Sequence, residues 1–292
     1  MKRTTFKTRF ICLAGAWLYA CATAAAGYAA SDNAIGSVPN FSVLDSPWLP
    51  MGPEYQPPAS GLGPVTYDHA HPVMARNANN VGALVEAPMR FADLSNPNLK
   101  SWVIDYLKKA NDELLAKGIR SASRASCRPP GVPEFLVHGA GFQAIHFLQT
   151  AKEVLLINDG DTQIRHIYMN VPHSEHLTSS YFGESVGHYE GDQLVVDTVG
   201  FNDKTFLDDR YNLPHTMQLH VVERFKLVND GKGLEVNFTV EDAGAFNAAW
   251  SGIVRYRHPG APRPLVEEPC AEETAAGFGH DFPVPVADRP DF

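Results

Sequence analysis

The sequence has little cysteine, and this limits the redox chemistry that the chain can support. Its 292 residues include four cysteines, and two of these, Cys12 and Cys21, lie among the first thirty residues. No C-x-x-C pair is present, which argues against a dithiol redox centre. A single remaining pair in an exported chain is most simply a disulfide, so we predict a Cys127–Cys270 bond. The alternative, a catalytic thiol, needs a neighbouring histidine that the proline-rich loop around Cys127 lacks.

Long apolar runs are also scarce, and the exception lies at the N-terminus. The first thirty positions hold four basic residues and no acidic ones, with a mostly apolar stretch from Phe10 to Ala20 followed by small residues. This order is typical of a secretory signal peptide. We therefore predict a signal over residues 1–30, cleaved after Ala26 or Ala29, and a periplasmic or secreted protein. A membrane anchor and a lipoprotein modified at Cys21 are the alternatives, and the short apolar run disfavours the anchor.

Positive charge is in short supply. The formal net charge is −9, and without the four N-terminal bases it becomes −13. An acidic protein is a poor candidate for binding nucleic acid or anionic membranes, so we expect a small-molecule substrate. The sequence also lacks H-E-x-x-H, G-x-G-x-x-G and Walker patterns, which argues against zincins and nucleotide-dependent enzymes. We predict no cofactor and no stable membrane span after signal cleavage, and homo-oligomerisation stays open.

Proline and glycine divide the rest of the chain. Residues 31–96 are rich in both and predict an irregular arm laid over the domain surface. The segment 97–118 has an apolar stripe at helical spacing, a capping Asn96 before it and Gly118 at its end, which predicts an amphipathic helix. A second proline-rich segment, 261–292, is expected to be a C-terminal tail.

Residues 127–260 carry the pattern of a β domain. Short extended runs are separated by turn signals such as NDGD, EGD and NDGKG. The predicted strands lie near 141–149, 153–158, 163–169, 185–189, 193–200, 218–228, 233–242 and 252–257. Connections this short leave no room for crossover helices, so neighbouring strands should pair antiparallel. We predict a mainly β fold, an antiparallel up-and-down barrel whose interior can hold one small ligand.

Two carboxylates interrupt the strand pattern. In MQLHVVERFKL, alternation places Glu223 on the same face as Leu219, Val221 and Phe225. A carboxylate there is either paired or has a raised pKa and serves as an acid/base group. Two interpretations stay open, a catalytic group and a buried ion pair with a neighbouring arginine, Arg165 or Arg255.

Asp197 raises the same question in the run QLVVDTVGF. If its strand lies beside that of Glu223, the two carboxylates could share one cavity, where they would push their pKa values apart. His188, before the EGD turn, and His215, in LPHTMQLH, complete the predicted catalytic set, because histidine carries protons near neutral pH. A surface or hydrogen-bonded histidine is the alternative for each, and a polar loop explains His173 in VPHSEH. The predicted substrate-binding residues are His220, Tyr189, Arg165, Tyr168 and Asp203.

Several of these stretches together resemble one family. CRPPGVP, RHIYMN, SVGHYEGDQLVVDTVGFND, LPHTMQLHVVERF, LEVNFTVEDAGAF and Trp250 are similar to motifs of a large family of exported bacterial proteins, most described only as hypothetical. The match covers roughly residues 127–250. It departs at Tyr189, Thr216 and Ala243, where the family usually has Trp, Ser and Pro. The resemblance implies a calycin-like barrel and does not name a reaction. The shared polar positions that it implies are His188, Glu190, Asp192, Asp197, Asp203, Asp208, His215, His220, Glu223 and Arg224.

These observations predict an exported, cofactor-independent acid/base enzyme. It would be a lyase or isomerase, catalysing elimination, decarboxylation or loss of a small fragment from a small hydrophobic or phenolic molecule, because proton transfer is the chemistry that these side chains offer. His188 would be the base or acid, Glu223 its partner and His215 the second proton carrier. Two alternatives stay open. One is a metal-dependent enzyme with His188, His215 and His220 as ligands, and the other is a lipocalin-like protein that binds a lipophilic ligand.

Overall fold

The computed structural model describes most of the chain between residues 38 and 260. The described ranges are 38–42, 46–52, 55–68, 92–117, 128–137, 144–159, 163–208 and 211–260. The predicted signal peptide, both disulfide cysteines and the C-terminal tail lie outside them. Within these ranges, no helix combines the length and the apolar character needed to cross a membrane.

The described residues form a mostly β structure with one α-helix. The strands are β1 Leu49–Pro50, β2 Ile145–Gln149, β3 Glu153–Asn158, β4 Ile164–Met169, β5 Glu184–Glu190, β6 Gln193–Val199, β7 Phe206–Asp208, β8 Leu213–Pro214, β9 His220–Val228, β10 Gly233–Glu241 and β11 Trp250–Arg257. The helix α1 spans Ser101–Lys117, and a short 3-10 helix spans Glu134–Leu136.

Nine of these strands form a nearly closed barrel. Their order is β1-β11-β10-β9-β6-β5-β4-β3-β2. The two edges meet because Trp48, just before β1, exchanges two backbone hydrogen bonds of 2.9 Å with Ile145 of β2. Most strand pairs are antiparallel, so the predicted mainly β barrel is confirmed, and the arrangement fits a calycin-like barrel.

One strand pair departs from the antiparallel prediction. β4 and β5 run parallel, with Ile167 opposite Ser185 and Met169 opposite Gly187. The connection over 170–183 is long enough to bring the chain back to the end of the barrel where β4 began, which a tight hairpin cannot do. The barrel is therefore mixed at this pair, and the connection lies over the outer face of the sheet instead of forming a simple turn.

Alternation along the strands separates a packed interior from a polar exterior. The buried interior residues include Leu156, Ile167, Leu194, Val196, Val221, Phe225, Val236, Phe238, Val254 and Tyr256. Burying each large apolar side chain stabilises the fold by about 1.5–3 kcal/mol relative to exposure. Gly187 allows close approach of β4 and β5, because a Cβ at this position would lie 2.8 Å from Ile167 Cγ2.

The N-terminal arm is built into the barrel and does not merely cover it. Phe41, Trp48 and Tyr55 are buried in the core. The Trp48 indole N–H donates to the Phe41 carbonyl at 3.0 Å, and the Tyr55 hydroxyl donates to the Leu207 carbonyl at 2.9 Å. The first bond lies beside the seam where β1 and β2 meet, and the second joins the arm to β7. This part of the predicted arm is therefore held to the barrel by buried aromatic residues.

The helix begins later than its sequence pattern predicts. The Asn98 N–H donates to Asn96 Oδ1 at 2.9 Å and the Lys100 N–H donates to Ala245 O at 3.0 Å, so the first turn is replaced by contacts with the β10–β11 loop. From Ser101 onward the helix packs Val103 and Leu107 into the core, as the apolar stripe predicts.

The short hairpin of β7 and β8 was not predicted, because two or three residues are too few to show a period.

Candidate functional site

The predicted catalytic residues do not meet in one place. β6 and β9 are neighbours, as the prediction required, but Glu223 lies opposite Val196 while Asp197 lies opposite Val222. Successive residues of a strand point to opposite faces of the sheet. Glu223 therefore faces the interior and Asp197 faces outward, so the prediction that the two carboxylates share a cavity is wrong.

Inside the barrel, Glu223 forms an ion pair with Arg165. Both side chains are almost fully buried, at 0% and 1% exposure. Arg165 Nη1 donates to Glu223 Oε1 at 2.9 Å, and Nη2 donates to the other carboxylate oxygen. The same guanidinium donates to Thr198 Oγ1 at 2.9 Å and to Ser185 Oγ at 3.2 Å. We call these four side chains the interior network. Of the two interpretations of Glu223, the structure therefore shows the buried ion pair, and Arg165 is the partner.

The interior network is poorly suited to proton transfer. Arginine keeps its proton in proteins, so the Arg165 guanidinium cannot exchange one with Glu223. Nearby, burial and the charge of Glu223 raise the pKa of Tyr256 well above its ordinary value. The Tyr256 hydroxyl therefore stays protonated, and it donates to Leu136 O at 2.6 Å. Arg165, predicted to bind substrate, has its donors directed at other protein side chains.

Ser185 lies within a G-x-S-x-G sequence, Gly183 to Gly187, which is the pattern of the serine-hydrolase nucleophile elbow. An elbow places its serine on a sharp turn between a strand and a helix. Here Ser185 lies inside β5, is buried, and contacts Arg165 and Thr198. The geometry therefore argues against a nucleophilic role for this serine.

His215 is buried beside the β7–β8 hairpin, away from both carboxylates discussed above. Its Nδ1–H donates to Thr216 O at 3.0 Å, because a carbonyl can only accept, and Nε2 then accepts from Thr205 Oγ1 at 2.9 Å. Burial lowers the pKa of His215, although the Thr216 bond and the charges of Asp242 and Asp203 oppose this. A neutral, fully bonded ring at this position is suited to holding the hairpin in place.

His188 lies on the outer face of β5 and is half exposed. Its Nε2 is 2.9 Å from Glu190 Oε1, and Glu190 Oε2 accepts from Arg224 at 2.7 Å. Tyr168 is also exposed on the outer face, on β4. The Tyr189 hydroxyl accepts from Gln149 at 2.8 Å. His188 and Tyr168 thus lie on the outer face of neighbouring strands, whereas Tyr189 is bonded to Gln149.

A different set of residues is brought together on the outer face, and we call it the outer relay. It is a chain of alternating carboxylates and histidines: Glu184, His173, Asp197, His220 and Glu241. Asp197 is its centre, with one oxygen 2.9 Å from His173 Nε2 and the other 3.1 Å from His220 Nε2. The remaining ring nitrogen of each histidine is 3.1 Å from Glu184 or Glu241.

Four adjacent strands and one connection assemble the outer relay. Glu184, Asp197, His220 and Glu241 come from β5, β6, β9 and β10, and His220 is directly opposite Glu241. His173 comes from the 170–183 connection. Its neighbour Ser174 donates to the Glu184 carboxylate through its N–H at 2.7 Å and through its hydroxyl. The parallel β4–β5 crossover is therefore what carries His173 to Asp197.

The outer relay favours the protonated form of His220. A neutral imidazole has a single N–H, so all four nitrogen–carboxylate contacts are hydrogen bonds only when both rings are imidazolium. Partial burial lowers the pKa of His220, but its bonds to Asp197 and Glu241 outweigh this and raise the pKa above its ordinary value. Burial raises the pKa of Asp197, but the bonds from both histidines outweigh this and lower it. The contacts with Asp197 and Glu241 thus favour the imidazolium form of His220.

The ligand set of the metal-dependent alternative is not assembled. His188 and His220 lie on the same sheet but at different levels. His188 is level with Val195 and Arg224 on the next two strands, and Arg224 is four residues along β9 from His220. That separation is about 13 Å at the rise of a strand. His215 is engaged elsewhere, with Thr205 and Thr216. Within the described part of the chain, no group of three or more His, Cys, Asp or Glu residues is arranged to hold a metal ion.

Asp197 and His220 are among the predicted site residues, whereas the other three members of the outer relay are not. His173 was attributed to a polar loop, and Glu184 and Glu241 were not considered. The usable signal was the period of two, because Glu184, Asp197 and His220 each fall on the outward face of their strand.

Comparison of the chain with protein-family models, curated proteins and solved structures gave no match. The function is therefore inferred from these contacts.

Proposed function

We propose that the chain is an exported, cofactor-independent acid/base enzyme whose proton-transfer group is the outer relay. The observation that carries this proposal is the Asp197 carboxylate bound by two histidine nitrogens, at 2.9 and 3.1 Å. Lyase or isomerase chemistry on a small hydrophobic or phenolic molecule fits such a group. Elimination, decarboxylation and isomerisation can each proceed by proton transfer without a protein nucleophile.

His220 is the proposed general acid. It is one of the two rings held between carboxylates, and its raised pKa keeps it protonated closer to neutral pH. Its ring is about one-third exposed, at 31%, so a bound molecule can reach it from solvent. Asp197 acts as the positioning residue, because its carboxylate orients His220 and stabilises the imidazolium.

An apolar surface beside the relay supports a hydrophobic substrate. Val186 and Val222 lie directly opposite Asp197 on the two flanking strands. Both valines are half buried on the outer face. A small aromatic molecule placed on either valine would lie beside Asp197, because side chains directly opposite each other on neighbouring strands are about 5 Å apart. Its acidic or leaving group would then face the histidines.

The proposal is tested with the protein from an export-competent host. Wild type, Asp197→Asn and Glu190→Gln are incubated with a set of phenolic and other apolar compounds, and products are identified by mass spectrometry. Glu190→Gln is the matched control, an outer-face carboxylate bonded to His188 and Arg224. We expect Asp197→Asn to lose about 100-fold or more in turnover, the range for removal of acid/base catalysis.

Two results would contradict the proposal. Turnover by Asp197→Asn equal to wild type would remove the outer relay from the reaction. Equal losses in Asp197→Asn and Glu190→Gln would indicate a general effect of outer-face charge. A His188→Gln variant tests the other assignment. Loss of turnover in that variant alone would make His188 the catalytic base or acid, as the sequence predicts.

A further inference from the structure

One row of outer-face side chains runs from the outer relay across the neighbouring strands. Asp197 of β6 lies opposite Val222 of β9, and Val222 lies opposite Thr239 of β10. Thr239 in turn lies opposite Ser251 of β11. Residues directly opposite each other point to the same face of a sheet, with side chains about 5 Å apart. The row therefore has a carboxylate at one end, a valine beside it and two hydroxyl groups beyond.

The two hydroxyl groups form a pair with an unused proton. Thr239 Oγ1 and Ser251 Oγ are 3.0 Å apart, and either can be the donor. Each hydroxyl has one proton and can also accept. The bond between them uses one proton, and neither hydroxyl donates to any other group in the part of the chain that the structure describes. The pair can therefore donate a hydrogen bond to a molecule bound on the row.

The row is open to solvent. Val222, Thr239 and Ser251 are half-buried, and the side chains of Asp197 and His220 are 40% and 31% exposed. His220 is two residues from Val222 on the same face of β9, so its ring borders the same apolar spot. A flat molecule can thus lie on Val222 from outside the barrel, without an interior cavity.

The 170–183 connection reaches the outer relay from the opposite side. His173 contacts one oxygen of Asp197 and one oxygen of Glu184 on β5. Val222 lies on the other flank of Asp197, on β9. A molecule on Val222 can therefore approach Asp197 without displacing His173.

We propose that the Thr239–Ser251 hydroxyl pair selects the substrate of the outer relay, a single-ring aromatic compound with a hydroxyl or carbonyl oxygen opposite its reacting group. The ring lies on Val222, the Thr239 hydroxyl bonds the oxygen, and the reacting group lies beside Asp197. Two strand spacings separate Asp197 from Thr239, about 10 Å, a gap that one ring and its substituents span. This inference rests on the proposed function, because it names the substrate class of the same site.

Two ligands of the same shape separate a hydrogen bond from apolar contact. p-Cresol and p-xylene differ only in a hydroxyl or a methyl group on the ring. On an apolar surface without a partner for the hydroxyl, p-xylene binds better, because removing a hydroxyl from water is unfavourable. We expect the wild-type protein to prefer p-cresol by about fivefold, the effect of one hydrogen bond.

The experiment titrates both compounds into protein labelled with ¹³C at the valine methyl groups. The Val222 resonances are assigned with Val222→Ala. Both compounds should shift these resonances in the wild-type protein and reach saturation, and p-cresol should do so at the lower concentration.

Two variants locate the contact. Thr239→Val removes the hydroxyl but keeps the β-branched shape, so p-xylene should bind this variant at least as tightly as p-cresol. Asn237→Ala is the matched control, because Asn237 is exposed on the same face of β10 and bonds to Glu235. It should retain the preference for p-cresol. A hydroxyl pair that only stabilised the sheet would not change the relative affinity for two ligands.

Several results would overturn the proposal. Val222 resonances that do not move, equal affinities, or tighter binding of p-xylene to the wild-type protein would show that the hydroxyl pair selects no ligand. A preference that survives in Thr239→Val, or disappears in Asn237→Ala, would place the contact elsewhere. If Thr239→Val does not fold, nuclear Overhauser contacts in the wild type decide. The Thr239 methyl group must then contact the ring protons beside the p-cresol hydroxyl and not those beside its methyl group.

Binding and turnover are separate readouts, so the two proposals fail separately. If Asp197→Asn loses turnover but the wild-type protein shows no preference for p-cresol, the substrate class is wrong and the catalytic role of the outer relay stands. If Asp197→Asn keeps full turnover while the preference depends on Thr239, the proposed function is wrong and the row is a binding site alone.

Discussion

The interior network and the outer relay both contain carboxylates, but the first stabilises the fold and the second is suited to proton transfer. Inside, Glu223 pairs with an arginine that keeps its proton under all ordinary conditions. Outside, Asp197 pairs with two histidines, which gain and lose protons near neutral pH. The partner, more than the carboxylate, decides whether a charged cluster holds the fold or transfers protons. Burial follows the same division, since the interior pair is sealed and the outer relay is partly open to solvent.

The largest effect is expected from breaking the interior pair. Arg165→Met leaves Glu223 as an uncompensated buried charge, so we expect the free energy of unfolding to fall by about 3–5 kcal/mol. The double variant Arg165→Met/Glu223→Leu removes both charges and should recover most of that loss. Urea denaturation followed by circular dichroism measures both changes. If the double variant is as unstable as Arg165→Met alone, the unpaired charge is not the cause.

Ser185→Ala should have an intermediate effect. The substitution removes the acceptor of Arg165 Nε, so we expect the free energy of unfolding to fall by about 1–2 kcal/mol. Any catalytic activity should remain in the folded variant, because the Ser185 side chain faces the interior network, on the opposite side of the sheet from the outer relay. Stability is measured by urea denaturation and turnover by product formation. Loss of turnover in a fully folded Ser185→Ala protein would instead indicate a catalytic role for this serine.

The smallest expected effect is a pH dependence of the free energy of unfolding that comes from the outer relay. The pKa of His220 is raised in the folded protein, so its contribution to stability is complete below the unfolded pKa of about 6.5. It is lost as pH rises through the folded pKa. His220→Gln should therefore lower the free energy of unfolding more at pH 5.5 than at pH 9, by up to about 1 kcal/mol for a partly exposed ion pair.

The control for this pH dependence is the interior pair, which holds no histidine. The change in unfolding free energy of the double variant Arg165→Met/Glu223→Leu should differ little between pH 5.5 and pH 9, because it removes both charged groups of the pair and leaves neither to titrate. Thermal and urea unfolding across this range measure both variants. A His220→Gln effect that is constant or grows with rising pH would contradict the protonated state assigned to the outer relay.

Local patterns predicted most of the barrel, and the errors lie where distant segments meet. Turns such as EGD and NDGKG identify β5 to β6 and β9 to β10 because a hairpin needs only neighbouring residues. The parallel β4–β5 pair and the contribution of the arm depend on long-range packing, which no local period records. The same limit applies to the site. Alternation placed Glu223 correctly on an apolar face, but His173 reaches Asp197 only through the crossover.

The seam between the arm and the barrel has a consequence for how the chain folds. Leu49 pairs with Arg257, so the barrel closes only when segments from opposite ends of the domain have met. Contacts this distant in sequence slow folding, because loop-closure entropy must be overcome before they form. If a chain crosses a membrane unfolded and N-terminus first, its β1 stays unpaired until β11 has also crossed. Under the export proposed above, late closure would let the barrel complete its fold after the chain has crossed the membrane.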